Sequence, residues 1–202
     1  MTYLHPHFIR ATVLTGLLAA AGAAQAHTGH GTSGLYEGLA HPLGADHLLA
    51  MLAVGIWSVC ALPARQTWQG PATFMLSLML SAALGAAGLS LPFLEQMIAL
   101  SVVLFGVMLV LSRTRLPVGL GLGLVALAAS LHGLAHGAET PATGFVTYAA
   151  GFLATTAALH FGGVAAGFGI RKALADKANW AMTGLGTLCG GAGLYLLASA
   201  TQ

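Results

Sequence analysis

The feature that most constrains this chain is how little charge it carries. Only 6% of its 202 residues are Asp, Glu, Lys or Arg, against roughly a quarter in an ordinary soluble domain. Seven basic and five acidic side chains cannot cover the surface of a soluble fold of this length, and 57% of the residues are hydrophobic. The chain is therefore predicted to be an integral membrane protein. Its net charge of +2 is too small for a nucleic-acid-binding face.

The first 26 residues are predicted to be a signal peptide. Arg10 precedes an apolar run over 11–24, and Ala24-Gln25-Ala26 supplies the small-x-small pattern that signal peptidase reads. The alternative is an uncleaved membrane helix, which the shortness of the run disfavours. Cleavage leaves a periplasmic segment, 27–40, which contains His27 and His30 and is rich in Gly, Ser and Thr as far as Gly38. We predict residues 28–38 of this segment to be mobile.

The remaining residues, 41–202, form the predicted transmembrane domain. Apolar runs long enough to cross a hydrocarbon core of about 30 Å occur six times, over 43–62, 72–89, 96–111, 116–135, 144–169 and 180–199. The predicted fold class is an all-α integral membrane protein, a six-helix transmembrane bundle that follows a cleaved signal peptide.

The basic residues orient this bundle. Every Lys or Arg after the signal peptide lies in an odd-numbered connection between spans: Arg65, Arg113, Arg115, Arg171, Lys172 and Lys177. Because basic loops mark the cytoplasmic side, the mature N-terminus and the C-terminus are predicted to be periplasmic. The expected location is the bacterial inner membrane.

Cysteines and glycine motifs are interpreted as packing features. Cys60 and Cys189 lie in separate apolar runs and form no CxxC motif. Small residues let membrane helices approach closely, and such faces are predicted at Gly163-xxx-Gly167, at Gly186-xxx-Gly190 and along Gly119, Gly121 and Gly123.

The acids and histidines, in contrast, gather at the predicted periplasmic side. Ionisable side chains at membrane depth are costly unless they are paired or face a cavity, so their default interpretation is functional. Imidazole and carboxylate without thiolate suit Ni, Co, Zn or Cu(II). The primary candidate metal ligands are His41, Asp46, His47, His132, His136 and Glu139, and the secondary candidates are His27, His30, Glu95 and His160.

Spacing within the two motifs supports a shared site. Positions i, i+4 and i+7 of a helix lie within about a 60° arc, so His132, His136 and Glu139 share one stripe. Pro42 favours a helix start and lets His41 fold back over the helix mouth. Asp46 either binds the ion or fixes the tautomer of a neighbouring histidine.

The secondary candidates each have another interpretation. His160 is interpreted as a hydrogen-bonded core histidine in preference to a ligand. His27 and His30 are interpreted equally well as part of a solvated tail and as groups that capture metal at the entrance. Glu95 is either an interfacial acid or a group that attracts or binds the ion.

Two segments of the chain closely resemble the HupE/UreJ family of nickel permeases: His41-Pro-Leu-Gly-Ala-Asp46-His47 with the following Leu-Leu-Ala-Met51, and Leu131-His132-Gly-Leu-Ala-His136-Gly-Ala-Glu139. The resemblance implies secondary transport of Ni2+ or Co2+ into the cytoplasm, with supply to nickel enzymes such as hydrogenase or urease. It matches His41, Asp46 and His47 to one family motif and His132, His136 and Glu139 to the other. This chain has four residues between His41 and Asp46 where the family commonly has five, which bears mainly on the role of His41.

Other functions remain open at this level. Histidine pairs on facing helices also bind haem in membrane cytochromes. A metal-dependent hydrolase typically has three protein ligands to its metal and an acidic residue that acts as general base. The chain is predicted not to be an enzyme and to hold no permanent cofactor, with the transition-metal ion and the lipid bilayer as its partners. The sequence leaves the oligomeric state open, with a homo-oligomer as one alternative.

Overall fold

The structure is a computed structural model that describes residues 34–114, 116–139 and 144–201. The predicted signal peptide, His27, His30 and Arg115 lie outside these residues. Within them every regular element is a helix, and the α-helices are α1 Leu35–Ala40, α2 Ala45–Ala61, α3 Gln69–Ala86, α4 Leu94–Val110, α5 Val118–Ala138, α6 Phe145–Leu174 and α7 Ala178–Ser199. Short 3-10 helices cover His41–Leu43, Ala64–Gln66, Leu111–Arg113 and Ala175–Lys177.

Helices α2 to α7 lie at the six predicted apolar runs. Among the described residues, α5, α6 and α7 are each long and apolar enough to cross a membrane. A fourth crossing is reached if the segment Leu35–Leu43 and α2, which are bent by 72° relative to each other, form one broken span. Helix α4 is apolar but shorter. The all-helical membrane class is thus supported, whereas six separate spans remain a prediction.

The segment before His41 corrects one expectation. Although residues 28–38 are predicted to be mobile, Leu35–Ala40 forms helix α1, which packs against α6. A Cβ at Gly38 would lie 2.8 Å from the carbonyl carbon of Tyr148, and a Cβ at Gly151 would lie 2.8 Å from the amide nitrogen of Leu39. Thr155 adds a hydrogen bond from its hydroxyl to the carbonyl of Leu39. Gly38 and Gly151 therefore serve the close packing of α1 against α6.

Glycines also join the main helix pairs, which are α2 with α6, α3 with α5, and α4 with α7. A Cβ at Gly55 of α2 would lie 2.5 Å from the carbonyl oxygen of His160, and one at Gly163 of α6 would lie 2.5 Å from that of Leu52. In the α4–α7 pair, a Cβ at Gly186 would lie 2.5 Å from the carbonyl oxygen of Gly106. Such contacts leave no room for a side chain, as expected for small-residue packing in membranes.

The structure confirms most of the predicted packing glycines. Gly163 and Gly167 face α2, and the backbone of Gly190, like Gly186, lies against Gly106. Gly121 lies against the Trp57 ring. The prediction is wrong for Gly119 and Gly123, because a Cβ at either position would meet nothing within 4 Å among the described residues.

Neither cysteine forms a disulfide. Cys189 is buried, whereas Cys60 is half-buried with its Sγ 3.4 Å from the Sδ of Met182.

Helix α2 occupies the centre of the bundle. It contacts α3, α4, α6 and α7, and most of its residues from Ala50 to Val59 are buried. Its first turn therefore carries the polar side chains of Asp46 and His47 into the protein interior.

Candidate metal centre

The turn before α2 is built by proline and glycine. Pro42 lies in the first turn of the 3-10 helix His41–Leu43, and Gly44 then takes an extended ψ of 145° before α2 begins at Ala45. The resulting bend folds His41 back over the N-terminus of α2, so that its ring centroid is 4.6 Å from that of His136 and 6.1 Å from that of His47. The shorter spacing between His41 and Asp46 thus still brings His41 to the other motif.

Three imidazoles from α2 and α5 meet in the interior. Nε2 of His47 is 3.1 Å from Nδ1 of His132 and also contacts Nε2 of His136. The three residues are only 6%, 0% and 4% exposed. His132 and His136 lie one turn apart on α5, as the sequence spacing predicts.

Hydrogen bonds fix the orientation of His47. Its Nδ1 lies 2.8 Å from Oδ1 of Asp46, which also accepts the backbone N–H of His47 at 2.8 Å. Because a carboxylate only accepts, Nδ1–H donates and Nε2 carries the lone pair. Of the two roles predicted for Asp46, this contact is the tautomer-fixing one.

Ser101 of α4 does the same for His132. The Ser101 hydroxyl donates its single hydrogen to the carbonyl of Ile98 at 2.7 Å, and its Oγ lies 2.9 Å from Nε2 of His132. Ser101 Oγ is therefore the hydrogen-bond partner of Nε2 and orients the His132 ring. Nδ1 of His132 is thereby held facing Nε2 of His47 at 3.1 Å.

A second group of candidate metal ligands overlaps the three imidazoles at His136 and is more exposed to solvent. His41, His136 and Glu139 each place one ligand atom so that all three lie within 4.8 Å of one another. Nε2 of His41 is 3.9 Å from Oε2 of Glu139, and their side chains are 22% and 39% exposed. His136 belongs to both groups, and its buried Nδ1 has no hydrogen-bond partner in the described part of the chain.

A cavity of about 20 Å³ lies at this position. That volume suits a single ion or water. Its lining includes Glu95 and five of the six primary candidates, namely His41, Asp46, His47, His136 and Glu139, and is completed by Gly44, Ile98 and Ala135. Glu95 therefore joins the primary candidates at one place, which we call the His-rich end of the bundle.

His160 does not reach this group. Its Nδ1–H donates to the carbonyl of Thr156 at 2.8 Å, which agrees with its interpretation as a hydrogen-bonded core histidine. Its buried Nε2 has no partner among the residues that the structure describes. The Phe74 ring separates it from the His-rich end, with centroids 4.8 Å from His160 and 5.9 Å from His132.

Sequence reasoning missed Ser101 and Phe74. Ser101 is a lone hydroxyl in an apolar run, and Phe74 is one of eight phenylalanines, so neither position carries a local signal. Only the contacts with His132 identify them.

Fold and site together define a helical membrane protein with buried imidazoles and more exposed carboxylates at one end of its bundle. A family model described as HupE / UreJ protein matches residues 15–196, and the chain belongs to this family. It is also 37% identical over 159 residues to Protein HupE of Rhizobium leguminosarum bv. viciae, which covers 78% of this chain and 82% of that protein. No solved structure matches the chain.

Proposed function

We propose that the protein is a permease for Ni2+, or Co2+, and that it binds the ion between α2 and α5. The observation that carries this proposal is the convergence of three buried imidazoles, with Nε2 of His47 3.1 Å from Nδ1 of His132 and in contact with Nε2 of His136. Imidazole nitrogens this close need a proton or a cation between them. Metal–nitrogen bonds of about 2.0–2.1 Å place two ligands of one ion roughly 2.9–3.4 Å apart.

The surrounding residues have distinct roles in this proposal. His47, His132 and His136 supply nitrogen ligands, while Asp46 and Ser101 orient two of those rings. The more exposed His41 and Glu139 form the entry to the site. Glu95, which lines the same cavity, adds negative charge there, and we place His27 and His30 on the same side of the membrane.

The ligand chemistry limits the cargo to transition-metal ions. Imidazole with carboxylate favours Ni2+, Co2+ or Zn2+ over Mg2+ and Ca2+, and geometry selects among the former. The cavity of about 20 Å³ has no room for a porphyrin between the histidines, so the geometry does not favour haem. The family membership then favours nickel within this group, with delivery to enzymes such as hydrogenase or urease.

In the proposed topology, six spans place the His-rich end in the periplasm and the basic connections in the cytoplasm. A divalent cation moving inward gains about 4.6 kcal/mol per 100 mV, twice the value for one elementary charge. The sequence contains no phosphate-binding loop for ATP, and the membrane potential is therefore the proposed driving force.

Release of the ion follows from the fact that its proposed ligands belong to two different helix pairs. His47 belongs to the α2–α6 pair and His132 and His136 to the α3–α5 pair. Movement of one glycine-joined pair against the other pulls the ligands apart, which is the event that alternating access requires.

The test is uptake of labelled Ni2+ into cells that express the protein at low external metal. We expect wild type to accumulate nickel and His136→Ala and Asp46→Asn to accumulate none above background, with equal amounts in the membrane. Ser130→Ala is the matched control on α5, because the Ser130 hydroxyl only bonds the carbonyl of Ala126 in its own helix. Wild-type cells without uptake, or variants that transport normally, contradict the proposal.

A further inference from the structure

We propose that the ion has a second binding site deeper in the bundle, formed by Nε2 of His160 and the hydroxyl of Thr156. This inference rests on the proposed permease function and adds an inward station to it. The Phe74 ring lies between the two sites.

The first argument is the tautomer of His160. A carbonyl only accepts, so the hydrogen bond of 2.8 Å to the backbone of Thr156 requires a proton on Nδ1. Nε2 therefore carries a lone pair, and it has no partner within the described residues although the side chain is only 1% exposed. A buried acceptor without a donor is uncommon and calls for an explanation. In this proposal, a cation that passes through the bundle is the partner of Nε2.

The second argument is the neighbouring hydroxyl. Thr156 precedes His160 by one turn, so both side chains lie on one face of α6. Thr156 is 0% exposed, and its Oγ1 also has no hydrogen-bond partner in the described ranges. A neutral nitrogen and a neutral oxygen bind a divalent ion more weakly than the His-rich end does, because no carboxylate is involved. Weak binding allows the ion to leave again.

The third argument is depth. A Cβ at Gly55 would lie 2.5 Å from the carbonyl oxygen of His160, which places His160 beside Gly55 of α2. Gly55 follows His47 by eight residues, or about 12 Å at 1.5 Å per residue. His160 is therefore about midway along a span, between the His-rich end and the cavity at the opposite end of α2, which Cys60 and Arg171 line.

Phe74 separates the two stations. It is 0% exposed, and its ring packs against both histidines, with centroid distances of 5.9 Å to His132 and 4.8 Å to His160. An aromatic ring at this position keeps the two sites from sharing water, while its face attracts a cation that passes it. Transfer between the sites then requires this ring to move.

The experiment compares binding with transport. In His160→Leu and Thr156→Val we expect purified protein to bind Ni2+ at the His-rich end with an affinity within about twofold of wild type, since those ligands are untouched. Uptake by cells is expected to fall at least tenfold in His160→Leu and severalfold in Thr156→Val. The control is Ser58→Ala, which removes a buried hydroxyl that already bonds the carbonyl of Val54.

A change of ligand type separates a binding role from a packing role. In His160→Cys we expect the ratio of Zn2+ to Ni2+ uptake to rise, because a thiolate favours Zn2+. A packing defect instead lowers the uptake of both ions in proportion and leaves their ratio unchanged.

Normal uptake in His160→Leu and Thr156→Val, or an unchanged ion ratio in His160→Cys, overturns the second site while the permease function stands. Absence of uptake by wild type overturns both proposals.

Discussion

The two ends of the bundle hold cavities of opposite character. At the His-rich end, imidazoles and carboxylates surround about 20 Å³. At the other end, a cavity of about 560 Å³ is lined by Cys60, Arg171, Asn179 and Met182 among others. One end has room for a single ion or water, whereas the other accommodates many waters.

Charge differs between the ends as well as size. Nη1 of Arg171 donates to the carbonyl of Val59 at 2.9 Å, which holds a guanidinium at the wide cavity. None of the described residues that line this cavity is acidic. In the proposed function, this difference lets a cation bind at the His-rich end and leave at the wide cavity, which is the asymmetry that uptake requires.

The largest effect is expected from His136→Ala. His136 is shared by both donor groups at the His-rich end, so its loss removes a ligand from each. We expect Ni2+ affinity of the purified protein to fall more than about 100-fold, since loss of an outer-shell partner alone costs 10–100-fold. Equilibrium dialysis measures this. Binding within tenfold of wild type places the metal elsewhere and breaks the contrast between the ends.

Asp46→Asn tests the support of His47. The amide oxygen still accepts the Nδ1–H of His47, but the negative charge that makes this imidazole a better ligand is gone. We expect a loss of affinity of about 10–100-fold, the range for outer-shell partners of metal-bound histidine. Titration of purified protein with Ni2+ gives the value. A complete loss of binding instead indicates that Asp46 is a direct ligand.

The free energy of unfolding should depend on the close contact between α2 and α6, the helices that run between the two ends of the bundle. In Gly163→Ala the new Cβ would lie 2.5 Å from the carbonyl oxygen of Leu52. We expect a loss of about 1–3 kcal/mol in the free energy of unfolding, as for overpacking. The adjacent Gly162→Ala places its Cβ 3.8 Å from Cδ2 of Leu52, so it should be neutral or slightly stabilising. Equal denaturation midpoints for the two variants contradict this account.

The smallest effect is expected from Cys60→Ala at the wide cavity. The Cys60 thiol contacts the thioether of Met182 but lies at the opposite end of α2 from the imidazoles. We expect Ni2+ affinity and initial uptake within about twofold of wild type. A tenfold decrease in uptake reveals a sulfur ligand on the exit side and removes the contrast between a binding end and a releasing end.

Local patterns in the sequence determined the helices and the polar end of the bundle. Apolar runs predicted α2 to α7, because helix formation in a membrane requires only that each segment satisfy its own backbone hydrogen bonds. Spacing of three and four residues predicted that His132, His136 and Glu139 share a stripe, and Pro42 predicted the return of His41. Gly38 was misread because a glycine in a flexible loop and a glycine in a close helix contact have the same local sequence.

Only the tertiary structure decided how these pieces meet. His47 contacts His132 and His136 across 85 and 89 residues of sequence, and no local periodicity encodes such a distance. The pairing of α2 with α6 brings His160 beside Gly55. The position of α4 places the Ser101 hydroxyl within hydrogen-bond distance of His132. The physical reason is that an apolar run specifies burial in lipid but not which neighbour it packs against, whereas the placement of glycines and polar hydrogen bonds between helices selects one arrangement.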